Sequence, residues 1–98
     1  MTLEEYLEQQ KEWSDRTFGH GLRTVGITRH IEKELAEIRA RPHDLSEWAD
    51  VIILALDGYW RHGGKPADIM EHLAAKQDQN FAREWQAQCD DEPTEHVR

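Results

Sequence analysis

Residues 31–50 read IEKELAEIRARPHDLSEWAD, and in this stretch two acidic pairs interrupt strongly apolar helix faces. Glu34 lies between two isoleucines of one helical stripe, and Glu37 lies beside it on the same helix. Glu47 and Asp50 share one face of the helix that follows. A proline between the pairs disfavours helical geometry at the residue before it, so the stretch predicts two helices joined by a short turn. Such helices are usually neighbours, and we expect the two acidic faces to meet.

Apolar residues elsewhere in the chain recur at spacings of three and four, and glycine and proline mark the ends of these segments. Asp44 followed by Glu47 resembles a capping box at the start of the third helix, and Pro66 suits the first turn of a fourth. The predicted helices span about residues 2–15, 24–40, 45–61 and 66–85. The sequence therefore predicts an all-α four-helix bundle, a single domain over residues 1–85, followed by a polar, acidic tail over 86–98.

The composition excludes several classes of protein. The 98 residues carry a formal net charge of −8, whereas sequence-independent nucleic-acid binding needs a cationic surface. No apolar run approaches the roughly 20 residues needed to span a bilayer, and the acidic N-terminus lacks the features of a secretory signal. The lone cysteine, Cys89, has no partner for an internal disulfide. We therefore expect a cytoplasmic protein with no nucleic-acid or membrane partner.

The third predicted helix carries the strongest chemical signal. Its middle, VIILAL at 51–56, is apolar on every side, which predicts a helix buried on most of its circumference. Glu47, Asp50 and Asp57 nevertheless fall close to one line of this helix. Buried carboxylates are costly unless a cation neutralises them, and Mg²⁺ prefers oxygen ligands of this kind. The six histidines and the lone cysteine show no zinc-ligand spacing, so the pattern favours a hard divalent cation.

Each carboxylate also has an ordinary structural explanation. Glu47 is the third-position member of the capping box that begins at Asp44, and Asp57 would simply close its helix near Gly58. The acidic pair of the second helix would form surface ion pairs with the neighbouring basic side chains, Lys33, Arg39 and Arg41. Because these explanations together require five independent coincidences of helix face, we favour an acidic cavity between the two helices.

The fourth predicted helix offers a counterpart to the acids. Ile69 and Leu73 define its apolar face, and Lys76, Asn80 and Arg83 continue the same line at spacings of three and four. These side chains offer hydrogen-bond donors for phosphate oxygens, and arginine binds them in bidentate fashion. The alternative is a helix end that emerges into solvent. Beside the acidic cluster, the pattern predicts a divided site with acids for a metal and bases for phosphate.

The two acidic motifs carry a family resemblance. ELAE (34–37) followed by EWAD (47–50) resembles the ExxE…ExxD signature of the MazG-like all-α nucleoside triphosphate pyrophosphohydrolases. HIEKELAEI…DLSEWADVIILALDGYWRHG, with KQDQNFAREW downstream, is similar to the dATP/dGTP pyrophosphohydrolase-like branch of phages and bacteria. The resemblance covers about Phe18 to Trp85. The interval between the two acidic pairs is shorter than in many members, which leaves a tight helical hairpin.

The resemblance implies a MazG-like four-helix bundle that hydrolyses a nucleoside triphosphate between its α- and β-phosphates, giving a monophosphate and pyrophosphate. A purine deoxynucleotide such as dATP or dGTP is the implied substrate, Mg²⁺ the implied cofactor with Mn²⁺ as a substitute, and a homo-oligomer (dimer or tetramer) the implied assembly. The alternative is a non-catalytic helical module that binds a partner and retains the fold. Such a module would lack a ligand or a phosphate-holding residue, and the chain lacks none of them.

The resemblance also assigns roles to individual residues. The implied metal ligands are Glu34, Glu37, Glu47 and Asp50, with Asp57 as a further ligand or supporting group. Either Glu34 or Glu37 would orient or deprotonate the attacking water. The implied phosphate-binding residues are Lys76, Asn80 and Arg83. The candidates for stacking on the base are Trp13, Phe18, His20 and Trp60, although four tryptophans in a small bundle also suit a core.

Overall fold

A computed structural model describes residues 1–83 and Pro93 of the chain. The described residues contain helices and no strand, which confirms the all-α four-helix prediction. The helices are α1 (Leu3–Phe18), α2 (Thr24–Ala40), α3 (Leu45–Arg61), a short 3₁₀ helix (Pro66–Asp68) and α4 (Ile69–Ala82). The bounds of α2 and α3 are those that the sequence predicts.

The first helix begins as its sequence dictates and runs one turn longer than predicted. Thr2 and Glu5 form a reciprocal capping box, in which the Thr2 hydroxyl accepts from the Glu5 amide at 3.1 Å. At the other end, Gly19 adopts a φ of +86° and its amide donates to the carbonyl of Asp15. Glycine reaches this φ without steric cost, so α1 ends at Phe18 and not near Asp15.

The start of α3 differs from the predicted capping box. Asp44 is the N-cap, and its side chain accepts from the amide of Ser46 at 3.1 Å. The predicted second bond of the capping box, from the Asp44 amide to the Glu47 side chain, does not form. The Asp44 amide donates instead to the carbonyl of Arg41 at 3.1 Å. The Glu47 side chain is therefore available to face α2.

The fourth predicted helix is divided into two parts. Pro66 opens the 3₁₀ turn, and α4 then ends at Ala82, where Arg83 has extended backbone geometry. The predicted helix end near Trp85 and the acidic tail over 86–98 lie outside the described residues, apart from Pro93.

The core lies where α1, α3 and the start of α4 meet. Leu7, Leu56 and Ile69 are buried together there. The half-buried hydrophobic residues around them are Leu3, Tyr6, Tyr59 and Trp60. The most extensive helix pair is α2 against α3, while α4 packs on α1 and on the 3₁₀ helix. The bundle therefore has an α2–α3 hairpin on one side and α4 on the other.

The middle of α3 is more exposed than its sequence predicts. Ile52 is 59% exposed and Ile53 is 40% exposed in the single chain. The prediction that VIILAL is buried on most sides is therefore wrong for the monomer. The reason is that, among residues 1–83, the contacts of α3 with other long helices are mainly those with α2 and α1, which lie on two of its sides. Leu45, Trp48 and Ile52 form an uncovered apolar stripe on a third side. Among residues 1–83, no helical segment combines the length and the hydropathy of a membrane span.

Candidate functional site

Three carboxylates from α2 and α3 converge in the helical hairpin. One oxygen from each of Glu34, Glu37 and Glu47 lies within 4.8 Å of the others. Glu34 and Glu47 are buried, and Glu37 is half-buried. The two acidic faces therefore meet as the helix periodicity predicts.

The electrostatics of this cluster fit a cation. The side-chain hydrogen bond to Glu37, reinforced by burial, raises the pKa of Glu47 above its ordinary value of 4.5. The hydrogen bonds from Glu47 and Glu34 lower the pKa of Glu37. Within the described residues, the buried Oε2 atoms of Glu34 and Glu47 have no hydrogen-bond donor. Buried anionic oxygens without donors are costly, so the donor set suits a hard divalent ion.

The other two predicted ligands lie outside the cluster. Both of them line the neighbouring pocket, and Asp50 is exposed. Asp57 is buried, and it accepts from the Ser14 hydroxyl at 2.7 Å and from Arg61 Nε at 3.2 Å. The guanidinium of Arg61 thus already neutralises the charge of Asp57. Arg61 follows Asp57 by four residues on α3, a spacing that the sequence shows, whereas Ser14 comes from α1 and no local signal points to it.

A pocket of about 360 Å³ adjoins the carboxylates. It is lined by side chains from α1, α2 and α3, and Glu34 belongs to both the cluster and the pocket wall. Arg23 lines the same pocket from the start of α2. Eleven residues separate Arg23 from Glu34, which corresponds to roughly 16 Å along a helix. The pocket therefore has an acidic end and a distant end at the α1–α2 connection.

Two of the four predicted stacking residues line this pocket. Trp13 and Phe18 meet edge to face with ring centroids 5.4 Å apart. The guanidinium of Arg23 lies over the Phe18 ring at 5.0 Å from its centroid. The distant end of the pocket thus presents aromatic surface beside a cation, which suits a flat, polar ring.

The other two stacking candidates lie elsewhere. Trp60 packs against the core, with Lys11 and Arg61 over its ring. His20 is exposed and pairs with Asp15 at 2.7 Å. Neither residue lines the pocket, so the structure does not bring these two together with Trp13 and Phe18.

The predicted phosphate-binding residues are not brought to the acids within one chain. Lys76, Asn80 and Arg83 lie on or directly after α4, which packs against α1 and the 3₁₀ helix. None of the three lines the pocket. Lys76 is exposed and donates to Gln79 at 3.4 Å. Helix periodicity predicts one face for the three, but Arg83 follows the end of α4 with extended backbone, and periodicity could not show which helix Lys76 and Asn80 would face.

Sequence reasoning missed four polar residues of the pocket wall, which are Gln10, Ser14, Arg23 and His30. His30 Nε2 lies 3.2 Å from Glu34 Oε1, and the spacing of four residues between them was a readable signal. Arg23 is the N-cap of α2 with a φ of +51°, in the left-handed region. No sequence signal predicts that conformation for an arginine, because it is unfavourable for residues other than glycine.

Comparison with known proteins is consistent with this geometry. Residues 6–98 match the model of the family described as dATP/dGTP pyrophosphohydrolase, which confirms the resemblance carried by the acidic motifs. The chain is also 36% identical over 90 residues to the "Eaa protein" of Salmonella phage P22. That similarity covers 92% of this chain and 28% of the relative's length. No solved structure matches the chain.

Proposed function

Because this chain belongs to the dATP/dGTP pyrophosphohydrolase family, we propose that it hydrolyses a purine deoxynucleoside triphosphate to a monophosphate and pyrophosphate. The observation that supports the proposal is the convergence of Glu34, Glu37 and Glu47 within 4.8 Å beside a pocket of about 360 Å³. A triphosphate is strongly anionic, so it would enter an acidic pocket only together with a cation.

The three clustered carboxylates are the proposed ligands of Mg²⁺, with Mn²⁺ as a substitute. The ion would neutralise charge on the phosphates and polarise the bond that breaks. Mg²⁺ usually keeps several water ligands and binds substrate phosphates directly, so three protein oxygens leave room for both. Asp50, an exposed residue of the pocket wall, is the proposed partner of such waters. Asp57 is excluded from direct ligation in this proposal, because Arg61 and Ser14 occupy its oxygens.

Glu37 is the proposed acceptor for the attacking water. Its lowered pKa keeps the carboxylate ionised, and it is the least buried member of the cluster. An ionised carboxylate accepts a hydrogen bond from water, and this contact would orient the water toward the phosphorus. Phosphoryl transfer needs little beyond such positioning and charge neutralisation.

The nucleoside is proposed to occupy the distant end of the pocket. Trp13 and Phe18 would contact the faces or edges of the base, and aromatic contacts of this kind contribute about 1–3 kcal/mol per base. Arg23, stacked over Phe18, offers donors to ring nitrogen or carbonyl oxygen acceptors on a purine.

We also propose that the protein forms a homo-oligomer. The α3 stripe of Leu45, Trp48 and Ile52 is exposed in the single chain, and contiguous exposed apolar surface is typical of protein interfaces. Phosphate binding by Lys76, Asn80 and Arg83 stays a prediction, and a second copy is the route by which these donors would reach a pocket. Sedimentation analysis of Ile52→Glu tests the interface, with a shift towards monomer as the expected result.

The activity is tested by pyrophosphate release from a panel of ribo- and deoxynucleoside triphosphates with Mg²⁺ or Mn²⁺. We expect dATP or dGTP to be the best substrate. Glu37→Gln should lower the rate by about 100-fold or more, since metal-site electrostatics contribute several kcal/mol. Glu32→Gln is the matched control, because it removes the same charge from an exposed position of α2. Absence of pyrophosphate with every nucleotide and both metals would favour a non-catalytic binding module.

A further inference from the structure

We propose that Ser14, Asp57 and Arg61 form a buried support that fixes the aromatic end of the pocket, and that Asp57 acts on nucleotide binding as a positioning residue. The inference rests on the proposed function, and it assigns to Asp57 a role different from metal coordination. The three residues come from α1 and α3, whereas the segment that they hold is the connection from α1 to α2.

Arg61 makes a complete set of hydrogen bonds. Its side chain is fully buried. Nη1 donates to the carbonyls of Gly19 at 2.9 Å and Gly21 at 3.0 Å, and Nη2 donates to the carbonyl of Ser14 at 3.2 Å and its hydroxyl at 3.0 Å. Nε donates to both oxygens of Asp57. Since a guanidinium has five N–H donors, every donor of Arg61 has an acceptor inside the protein.

Two of these bonds hold the connection between α1 and α2. Gly19 and Gly21 have φ values of +86° and +107°, which only glycine adopts readily. Their carbonyls point to the same guanidinium group. Phe18 lies immediately before this clamped segment and Arg23 lies two residues after it, and both line the pocket. Fixing the two glycine carbonyls therefore fixes the aromatic and cationic groups on either side.

Asp57 orients the guanidinium. It receives the Ser14 hydroxyl at 2.7 Å and the Nε of Arg61 at 3.2 Å, so its charge is used within the support. Asp57 is not among the three carboxylates that lie within 4.8 Å of one another. A buried carboxylate with a buried arginine and a hydroxyl is already neutralised, and it needs no metal ion.

The test compares Asp57→Asn with Glu47→Gln in the full-length protein. Mn²⁺ binding without nucleotide is measured by electron paramagnetic resonance, and kcat and KM are measured separately with dATP and dGTP. For Asp57→Asn we expect Mn²⁺ affinity within about twofold of the parent protein and a nucleotide KM raised about tenfold or more, since hydrogen bonds to charged groups contribute about 1.5–3 kcal/mol. For Glu47→Gln we expect the reverse, a loss of Mn²⁺ affinity.

Hydrogen exchange gives a readout that needs no activity. It is followed at the two hydrogen-bonded amides that flank the clamped connection, Gly19 (to the Asp15 carbonyl) and Ile27 (to the Arg23 carbonyl). Asp57→Asn should accelerate exchange there about tenfold or more relative to the parent, and Ser14→Ala should do so to a smaller extent. If Asp57→Asn fails to fold, Ser14→Ala and Arg61→Lys provide the same comparison, because lysine cannot reach all of the acceptors at once.

The outcomes separate this inference from the proposed function. Weakened Mn²⁺ binding in Asp57→Asn, to the extent seen in Glu47→Gln, would overturn the positioning role and make Asp57 a metal ligand. Unchanged exchange of the Gly19 and Ile27 amides in Asp57→Asn and Ser14→Ala would overturn the support itself. A parent protein that releases no pyrophosphate, yet shows the expected exchange pattern, would sink the proposed function alone.

Discussion

Replacing Glu47 with glutamine should stabilise the metal-free protein at neutral pH and weaken its response to Mg²⁺. Glu47 is buried, and hydrogen bonding to Glu37 raises its pKa above 4.5. As the pH rises above 4.5, the unfolded chain ionises Glu47 while the folded chain retains the proton, so stability falls until the pH passes the raised pKa. The lowered pKa of Glu37 stabilises the folded protein, and this stabilisation is lost only as the pH falls below 4.5. A glutamine amide at this position can donate a hydrogen bond to Glu37 and does not ionise. The substitution should therefore remove the loss of stability with rising pH.

The size of the Mg²⁺ response follows from mass action. At 100 times its Kd, Mg²⁺ stabilises the parent protein by about 2.7 kcal/mol, which raises the Tm of a domain of this size by roughly 10–20 °C. Glu47→Gln removes one of the three clustered anionic ligands. If affinity falls only tenfold, the same Mg²⁺ concentration gives about 1.4 kcal/mol, or about half the shift in Tm.

Calorimetric melting over a pH series that starts at 4.5 and rises to neutral, with and without Mg²⁺, tests both the pH dependence and the Mg²⁺ response. The metal-free parent protein should lose stability as the pH rises through this series, and Mg²⁺ should restore it. The stability of Glu47→Gln should vary less with pH, and its Mg²⁺-induced rise in Tm should be about half that of the parent or less. Glu32→Gln, an exposed change on α2, should behave like the parent. If Mg²⁺ raised the Tm of the parent and of Glu47→Gln equally, a cation site at the cluster would be refuted. If the stability of both proteins varied with pH in the same way, the raised pKa of Glu47 would be refuted.

Three further substitutions test the pocket, a loop and the core. Arg23→Gly keeps the φ of +51° accessible, so the Tm should not fall, while the KM for the nucleotide should rise about tenfold if a charge-assisted hydrogen bond is lost. Gly64→Ala would place a Cβ atom against the ring of Tyr59, and denaturant unfolding should show a loss of about 1–3 kcal/mol. Leu7→Ala empties a fully buried position and should cost about 2–5 kcal/mol in the same assay, without changing the Mg²⁺ affinity of the remaining folded protein.

The local signals in the sequence were sufficient for the hairpin. A proline between the acidic pairs and the apolar periodicity on either side predicted α2 and α3 with their observed ends, Thr24–Ala40 and Leu45–Arg61. The same periodicity put Glu34 and Glu47 on the faces that meet. These features depend on helix phase and on the short connection, and both are determined by residues close together in the chain.

The partners of the remaining polar residues depended on packing between distant segments. Asp57 was predicted as a weaker metal candidate, yet its oxygens are occupied by Arg61 and by Ser14, a residue 43 positions away. Lys76 was expected to face the acids, but α4 packs on α1. Helix phase gives the direction of a side chain about its own axis, and it carries no information on which neighbour lies in that direction.

The sequence by itself thus determined the four helices, the acidic hairpin and the family, because these follow from local periodicity, turn chemistry and a contiguous motif. Only the tertiary structure decided which carboxylates share a site, that Trp13 and Phe18 line the pocket while Trp60 joins the core, and that α3 keeps an uncovered apolar stripe. The physical reason is that burial and charge compensation are properties of several helices in contact, and each depends on how all of them are placed.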